Sequence, residues 1–83
     1  QANTALGLNA LNGNTTASGN IAIGAAALQY NNASYNVGIG LNTLQNNTSG
    51  QTNIGIGYNA LITNTTSSGN IAIGAASLQN NNA

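Results

Sequence analysis

A cassette that returns five times, with its landmarks in the same order, constrains this chain more than any other feature. Each copy opens at an Asn: Asn3, Asn20, Asn36, Asn53 and Asn70, at spacings of 17, 16, 17 and 17 residues. The opening segments read NTALGLNAL, NIAIGAAAL, NVGIGLNTL, NIGIGYNAL and NIAIGAASL. A Gly stands at the fifth position of every copy, at Gly7, Gly24, Gly40, Gly57 and Gly74. A Leu stands at the ninth, at Leu11, Leu28, Leu44, Leu61 and Leu78. A second Asn occupies the twelfth, at Asn14, Asn31, Asn47, Asn64 and Asn81. Copy two is one residue short. Self-similarity at a fixed period is the signature of an array in which each unit buries its neighbour.

The content of one copy specifies the kind of array. Ile-Ala-Ile and Ile-Gly-Ile alternate with period two and use β-branched residues, which is a strand signal. NTTASG, NNASY and NNTSGQT are turn chemistry, because Asn and Gly tolerate positive φ and Asn bonds to nearby backbone. Seventeen residues fall short of the roughly 33 or more that helical repeats need. The period predicts an all-β parallel β-solenoid, or β-roll, of five rungs, each with two short strands and two turns, stacked about 4.7–4.9 Å apart. Residues 1–83 form a single array that opens mid-pattern, which is expected of a segment of a longer fibre. Asn suits the turns in its own right, and stacked Asn can also bond from rung to rung as in cross-β ladders. The fifth-position Gly is expected where a Cβ would block the conformation or a close approach. No helix or Lys follows these glycines, so a phosphate loop is not indicated.

Composition then removes whole classes of function. The chain has no Lys, Arg, Asp, Glu, His or Cys, yet it is 41% apolar. General acid–base catalysis draws on those residue types, leaving only three Tyr. Zinc and calcium sites need thiolate, imidazole or carboxylate ligands. Nucleic-acid binding rests on Lys and Arg at phosphates. The sequence therefore predicts no enzyme, no cofactor, no metal and no nucleic-acid partner. It holds no apolar run of membrane-spanning length, so no membrane insertion is expected.

The second, fourth and ninth positions carry the large apolar residues, such as Ile21, Ile23 and Leu28, or Ile54, Ile56 and Leu61. Read as a period-two strand, this pattern places the aliphatics inside. The third position, Ala5, Ala22, Gly38, Gly55 and Ala72, then faces outward. Small residues at all five copies suggest an outer face pressed against another surface, a neighbouring copy of the chain being the preferred partner; simple tolerance of small residues is the alternative. Burying three large side chains per rung yields roughly 5–9 kcal/mol. Ordering a rung costs roughly 17–34 kcal/mol. The shortfall again favours self-association.

The pattern NxAIGxxALxxNTTGSGN resembles the tandem repeats of phage tail fibres and related surface proteins that end in a cleavable trimerising chaperone. Asn20-Ile21-Ala22-Ile23-Gly24 and Asn70-Ile71-Ala72-Ile73-Gly74 are similar to the N-S-V-A-I-G element of trimeric autotransporter adhesin heads, which have a shorter period. The resemblance implies a homotrimeric β-roll in an extracellular fibre, on a virion or cell surface. The expected role is a shaft or head module that spaces a terminal binding domain, with receptor contact made through other domains. A self-assembling filament is an alternative, as is an ice- or glycan-binding solenoid built on Thr15-Thr16, Thr65-Thr66 or Tyr30, Tyr35 and Tyr58. Sequons at Asn14, Asn32, Asn46, Asn47 and Asn64 are candidate glycosylation sites.

Overall fold

The computed structural model describes residues 2–14 and 16–78. They wind into a parallel β-solenoid. Each copy of the cassette contributes one three-residue strand: β1 (Thr4–Leu6), β2 (Ile21–Ile23), β3 (Val37–Ile39), β4 (Ile54–Ile56) and β5 (Ile71–Ile73). The strands form one sheet in chain order, every neighbouring pair parallel. The register pairs equivalent positions throughout: Ile21 opposes Val37 across β2 and β3, and Gly38 opposes Gly55 across β3 and β4. The short second copy therefore sits one full rung above the first, and its missing residue is absorbed in a turn.

The second strand expected in each rung is absent among the described residues. The remainder of the coil is a succession of turns, for a conformational reason. Beyond the fifth-position Gly, the seventh position (Asn9, Ala26, Asn42, Asn59, Ala76) and the ninth-position Leu have φ between 49° and 63°. A left-handed residue at every second place reverses the chain too often for a pleated strand. The backbone nevertheless stays paired between rungs. Gly24 N donates to Leu6 O at 2.7 Å, and Leu28 N donates to Thr43 O at 2.9 Å. The same bonds recur up the stack at Gly40, Gly57 and Gly74 and at Leu11, Leu44 and Leu61. This accounts for the polar backbone of segments that have no strand.

A Leu in the left-handed region costs roughly 1–2 kcal/mol. Burying its side chain returns about 1.5–3 kcal/mol. Leu28, Leu44 and Leu61 are fully buried, in one continuous cluster with Ala22, Ala27, Ala60 and Ala72. Left-handed backbone aims the Leu into the coil, and burial wins. At the fifth position no side chain is possible. Gly24 has φ 124°, and a Cβ there would stand 2.7 Å from Gly40 O. Gly7, Gly40 and Gly57 meet the next glycine backbone in the same way.

The strand faces are the reverse of the sequence expectation. Ala22, Gly38, Gly55 and Ala72 point into the coil and are buried, whereas Ile21, Ile23, Ile71 and Ile73 are exposed. Ile54 and Ile56, also expected inside, are only half-buried. The reason is how the coil is filled: Ala, Gly, one Leu and two Asn per rung take up its interior, so the paired aliphatics of each strand are displaced outward.

Candidate interaction face

Two features are built by stacking: an amide spine inside the coil and an aliphatic face outside it. The spine begins with the opening Asn of each rung. Its side-chain Oδ1 accepts the backbone N–H of the next opening Asn, at 2.9 Å, from Asn20 to Asn3, Asn36 to Asn20, Asn53 to Asn36 and Asn70 to Asn53. The twelfth-position Asn forms a second column. Asn47 Nδ2 donates to Asn31 Oδ1 at 2.6 Å, and Asn64 Nδ2 donates to Asn47 Oδ1 at 2.9 Å. Both columns also clamp a turn carbonyl. Asn36 Nδ2 and Asn47 Nδ2 both reach Gly50 O, at 2.9 and 2.8 Å. Asn20, Asn31, Asn36, Asn47, Asn53 and Asn64 are fully buried. A buried amide is tolerated only when its donors and acceptors are matched, and identical stacking supplies the match.

The aliphatic face is made by β1 to β5. The second position forms a column of Thr4, Ile21, Val37, Ile54 and Ile71. The fourth forms a parallel column of Leu6, Ile23, Ile39, Ile56 and Ile73. Leu8, Leu41 and Tyr58, at the sixth position, extend the patch as exposed side chains. Stacking within each column half-buries Val37, Ile39, Ile54 and Ile56, but Leu6 remains 67% exposed and Ile73 68%. In each of rungs two to five, two large aliphatics face outward for each Leu at the ninth position. These exposed apolar side chains are aligned in columns, unlike the singly scattered apolar residues of an ordinary surface.

The remaining candidate residues do not assemble into a site. Tyr30, Tyr35 and Tyr58 are exposed at three different rung positions. Thr16 and Thr66 are exposed and Thr65 is half-buried, while Thr15 lies outside the described residues, as does Asn81. Among the sequons, Asn47 and Asn64 are sealed in the amide spine, so a glycan on either is incompatible with the folded rung. Asn14 and Asn46 are half-buried and donate their amides to Ala17 O and Ile62 O. Asn32 is the exposed member of the set, and its Oδ1 accepts from Thr16 N at 3.3 Å. No pocket, no cluster of metal-ligating side chains and no helix long and apolar enough to cross a membrane occurs among the described residues.

Sequence reasoning missed one pairing inside the coil. At the eighth position, where other rungs have Ala or Ser, rung three has Thr43. Its Oγ1 donates to Gly57 O at 2.5 Å, and its methyl occupies the space beside Gly55, where a Cβ would meet Cγ2 at 2.8 Å. Gly at the third position occurs only in rung three, which carries this Thr, and in rung four, against which its methyl packs. That covariation within the repeats was the available signal.

The fold defines a repeat protein, a parallel β-solenoid of rungs of about 17 residues with a buried Asn ladder. No family model matches the chain, and neither a curated protein nor a solved structure matches it.

Proposed function

We propose that the chain is a structural shaft or head module of an extracellular fibre, and that copies of it associate side by side through the aliphatic face, as a homotrimer. The observation that carries this reading is the inversion of the strands: in rungs two to five the two aliphatic residues of each strand lie on its outer face while the ninth-position Leu fills the coil. A second copy of the same chain fits the face best. Its aliphatic columns repeat at the same rung spacing, so each rung meets a rung at every level. The chain carries no charged side chain, so no like-charge contact opposes the approach. Burial of the columns adds the apolar area that the single chain's Ala- and Gly-rich interior lacks. A closed ring of copies hides the face completely, which is the ordinary form of symmetric assembly. Such an assembly is a rod whose length is set by rung number, suited to holding a terminal binding domain away from a virion or cell.

The test is solution mass by native mass spectrometry and light scattering at micromolar concentration. The expected species is three chains. Ile23→Ser with Ile56→Ser should convert it to monomers that keep the β circular-dichroism signal, because both side chains lie outside the coil. A wild-type monomer overturns self-association. Open-ended growth with concentration overturns the closed trimer and favours a filament.

A further inference from the structure

The chain contains one Asn-Gly dipeptide, Asn12-Gly13, at the tenth and eleventh positions of rung one. Both residues are exposed. Such a pair is chemically poised. The backbone nitrogen of the Gly can attack Cγ of the Asn side chain, losing its proton to solvent and expelling ammonia, to close a five-membered succinimide. Water then opens the ring to Asp or to isoaspartate. The balance is Asn plus water giving a carboxylate residue plus ammonium, with no other reactant. Gly is the most permissive residue at the attacking position because no side chain obstructs the approach.

In the folded rung the nucleophile is occupied. Gly13 N donates to Gln29 O of rung two at 2.7 Å, one of the shortest backbone bonds between rungs. Asn12 N and Asn14 N on either side are also bonded, to Asn9 O and Leu11 O. Attack on Cγ requires Gly13 to leave Gln29, so the reaction requires rung one to part from rung two.

Among the described residues, that boundary carries the mismatch in the amide spine. Asn20 Nδ2 and Asn14 Oδ1 are buried atoms with no hydrogen-bond partner. Two of the three equivalent pairs bond directly, Asn36 Nδ2 to Asn31 Oδ1 at 3.1 Å and Asn70 Nδ2 to Asn64 Oδ1 at 3.5 Å, and Asn53 Nδ2 is held by Ser67 O at 2.9 Å. Asn3, Asn36 and Asn53 each also donate to a turn carbonyl 14 residues ahead. Rung two is short, so the carbonyl matching Ala17 is that of Ala33, 13 residues ahead of Asn20; it accepts from Asn31 Nδ2 at 2.7 Å, as the matching carbonyls do from Asn14, Asn47 and Asn64, but no bond from Asn20 Nδ2 reaches it. Unpaired buried amide groups weaken the junction that contains them.

We propose that Asn12-Gly13 is a latent modification site, latched by the bond from Gly13 to Gln29 and released when the mismatched junction between rungs one and two opens. The product is a carboxylate on a chain that otherwise has no charged side chain. In the isoaspartate form it also adds an atom to the backbone of rung one, which spoils the register with rung two and holds the junction open.

The experiment follows ammonia loss in the intact assembled protein at mildly alkaline pH. The new charge is read by anion exchange, and fragment-ion mass spectrometry assigns it to residue 12. The native protein should react at least about tenfold more slowly than the same chain in denaturant. Gly7→Ala drives a Cβ into Gly24 at the first junction, and Gly57→Ala makes the same clash with Gly74 at the last. Gly7→Ala should bring the rate close to the unfolded value, while Gly57→Ala leaves it near native. Equal native and denatured rates, or equal acceleration by both variants, overturns the proposal. Should either variant fail to fold, hydrogen exchange of the wild-type protein decides. The Gly13 amide must exchange faster than the equivalent Tyr30 amide, which donates to Gln45 O at 3.0 Å; exchange at the same rate overturns the local junction.

Discussion

At the scale of the residue, this fold is governed by volume measured in single methyl groups. The channel inside the coil admits one Leu per rung and otherwise only Ala, Gly, Ser, Thr and Asn. Each choice is therefore conditional on the rung above. Thr43 and Gly55 show the rule: the Thr methyl takes the place that an Ala side chain would hold at residue 55. Gly55→Ala alone should destabilise by about 1–3 kcal/mol, the usual consequence of overpacking. Thr43→Ala alone should cost about 1 kcal/mol through loss of its bond to Gly57. Combined in one chain, the two changes should recover most of the loss, with a coupling above about 1 kcal/mol in a denaturant double-mutant cycle. Simple additivity of the two would show that the side chains do not compete for one space. The amide columns obey the same conditional logic in hydrogen bonds instead of volume, since each Asn completes its neighbour.

At the scale of the element, the unit is the rung and not the strand. Three-residue strands are too short to define a sheet by themselves, and the inter-rung bonds of the turns carry as much of the pairing as the strands do. Rung two tests this view, because its missing residue removes a turn carbonyl and leaves the strand register intact. Inserting one Thr between Asn32 and Ala33 should return the carbonyl to Asn20 and raise stability by about 1 kcal/mol. A rise in the thermal midpoint of the protein is expected; a fall would mean that the shortened turn is the better-fitting one. The rung boundaries, the parallel stacking and the vertical alignment of Asn20, Asn36 and Asn53 were legible in the sequence, because a fixed period leaves few ways to superpose equivalent residues. The sense of the strand was not legible. Ile21-Ala22-Ile23 alternates equally well with either face inward, and the choice is made by what else fills the channel, the ninth-position Leu and the two Asn columns, which no single strand encodes. The single strand per rung was hidden for a similar reason: left-handed backbone at Leu28 or Ala26 is imposed by closure, against the preference of either residue.

At the scale of the whole molecule, the absence of charge is the dominant physical fact. Stability comes from neutral amide bonds, backbone pairing and aliphatic packing, and none of these gains or loses a proton over the ordinary range. With no Asp, Glu, His, Lys, Arg or Cys side chain to titrate, linkage between folding and pH is minimal. The thermal midpoint should move by less than about 2 °C between about pH 4 and pH 9, and by a similarly small amount as sodium chloride rises to about 0.3 M. A steep dependence on either would point to a charged partner in the assembly. A further expectation concerns surfaces: a chain without charges has little electrostatic protection against adhesion to its own kind, so covering the aliphatic face is also the simplest route to solubility.

The glycine column has a last consequence, for descent instead of stability. Gly24, Gly40 and Gly57 each rest on a glycine equivalent to themselves, so a rung asks of its neighbour only what it offers in return. Copying one cassette in the gene, or deleting one, would rejoin surfaces that already fit. Length can thus change in whole steps at this column while the cross-section stays constant, provided that matched residues such as Thr43 and Gly55 are carried together.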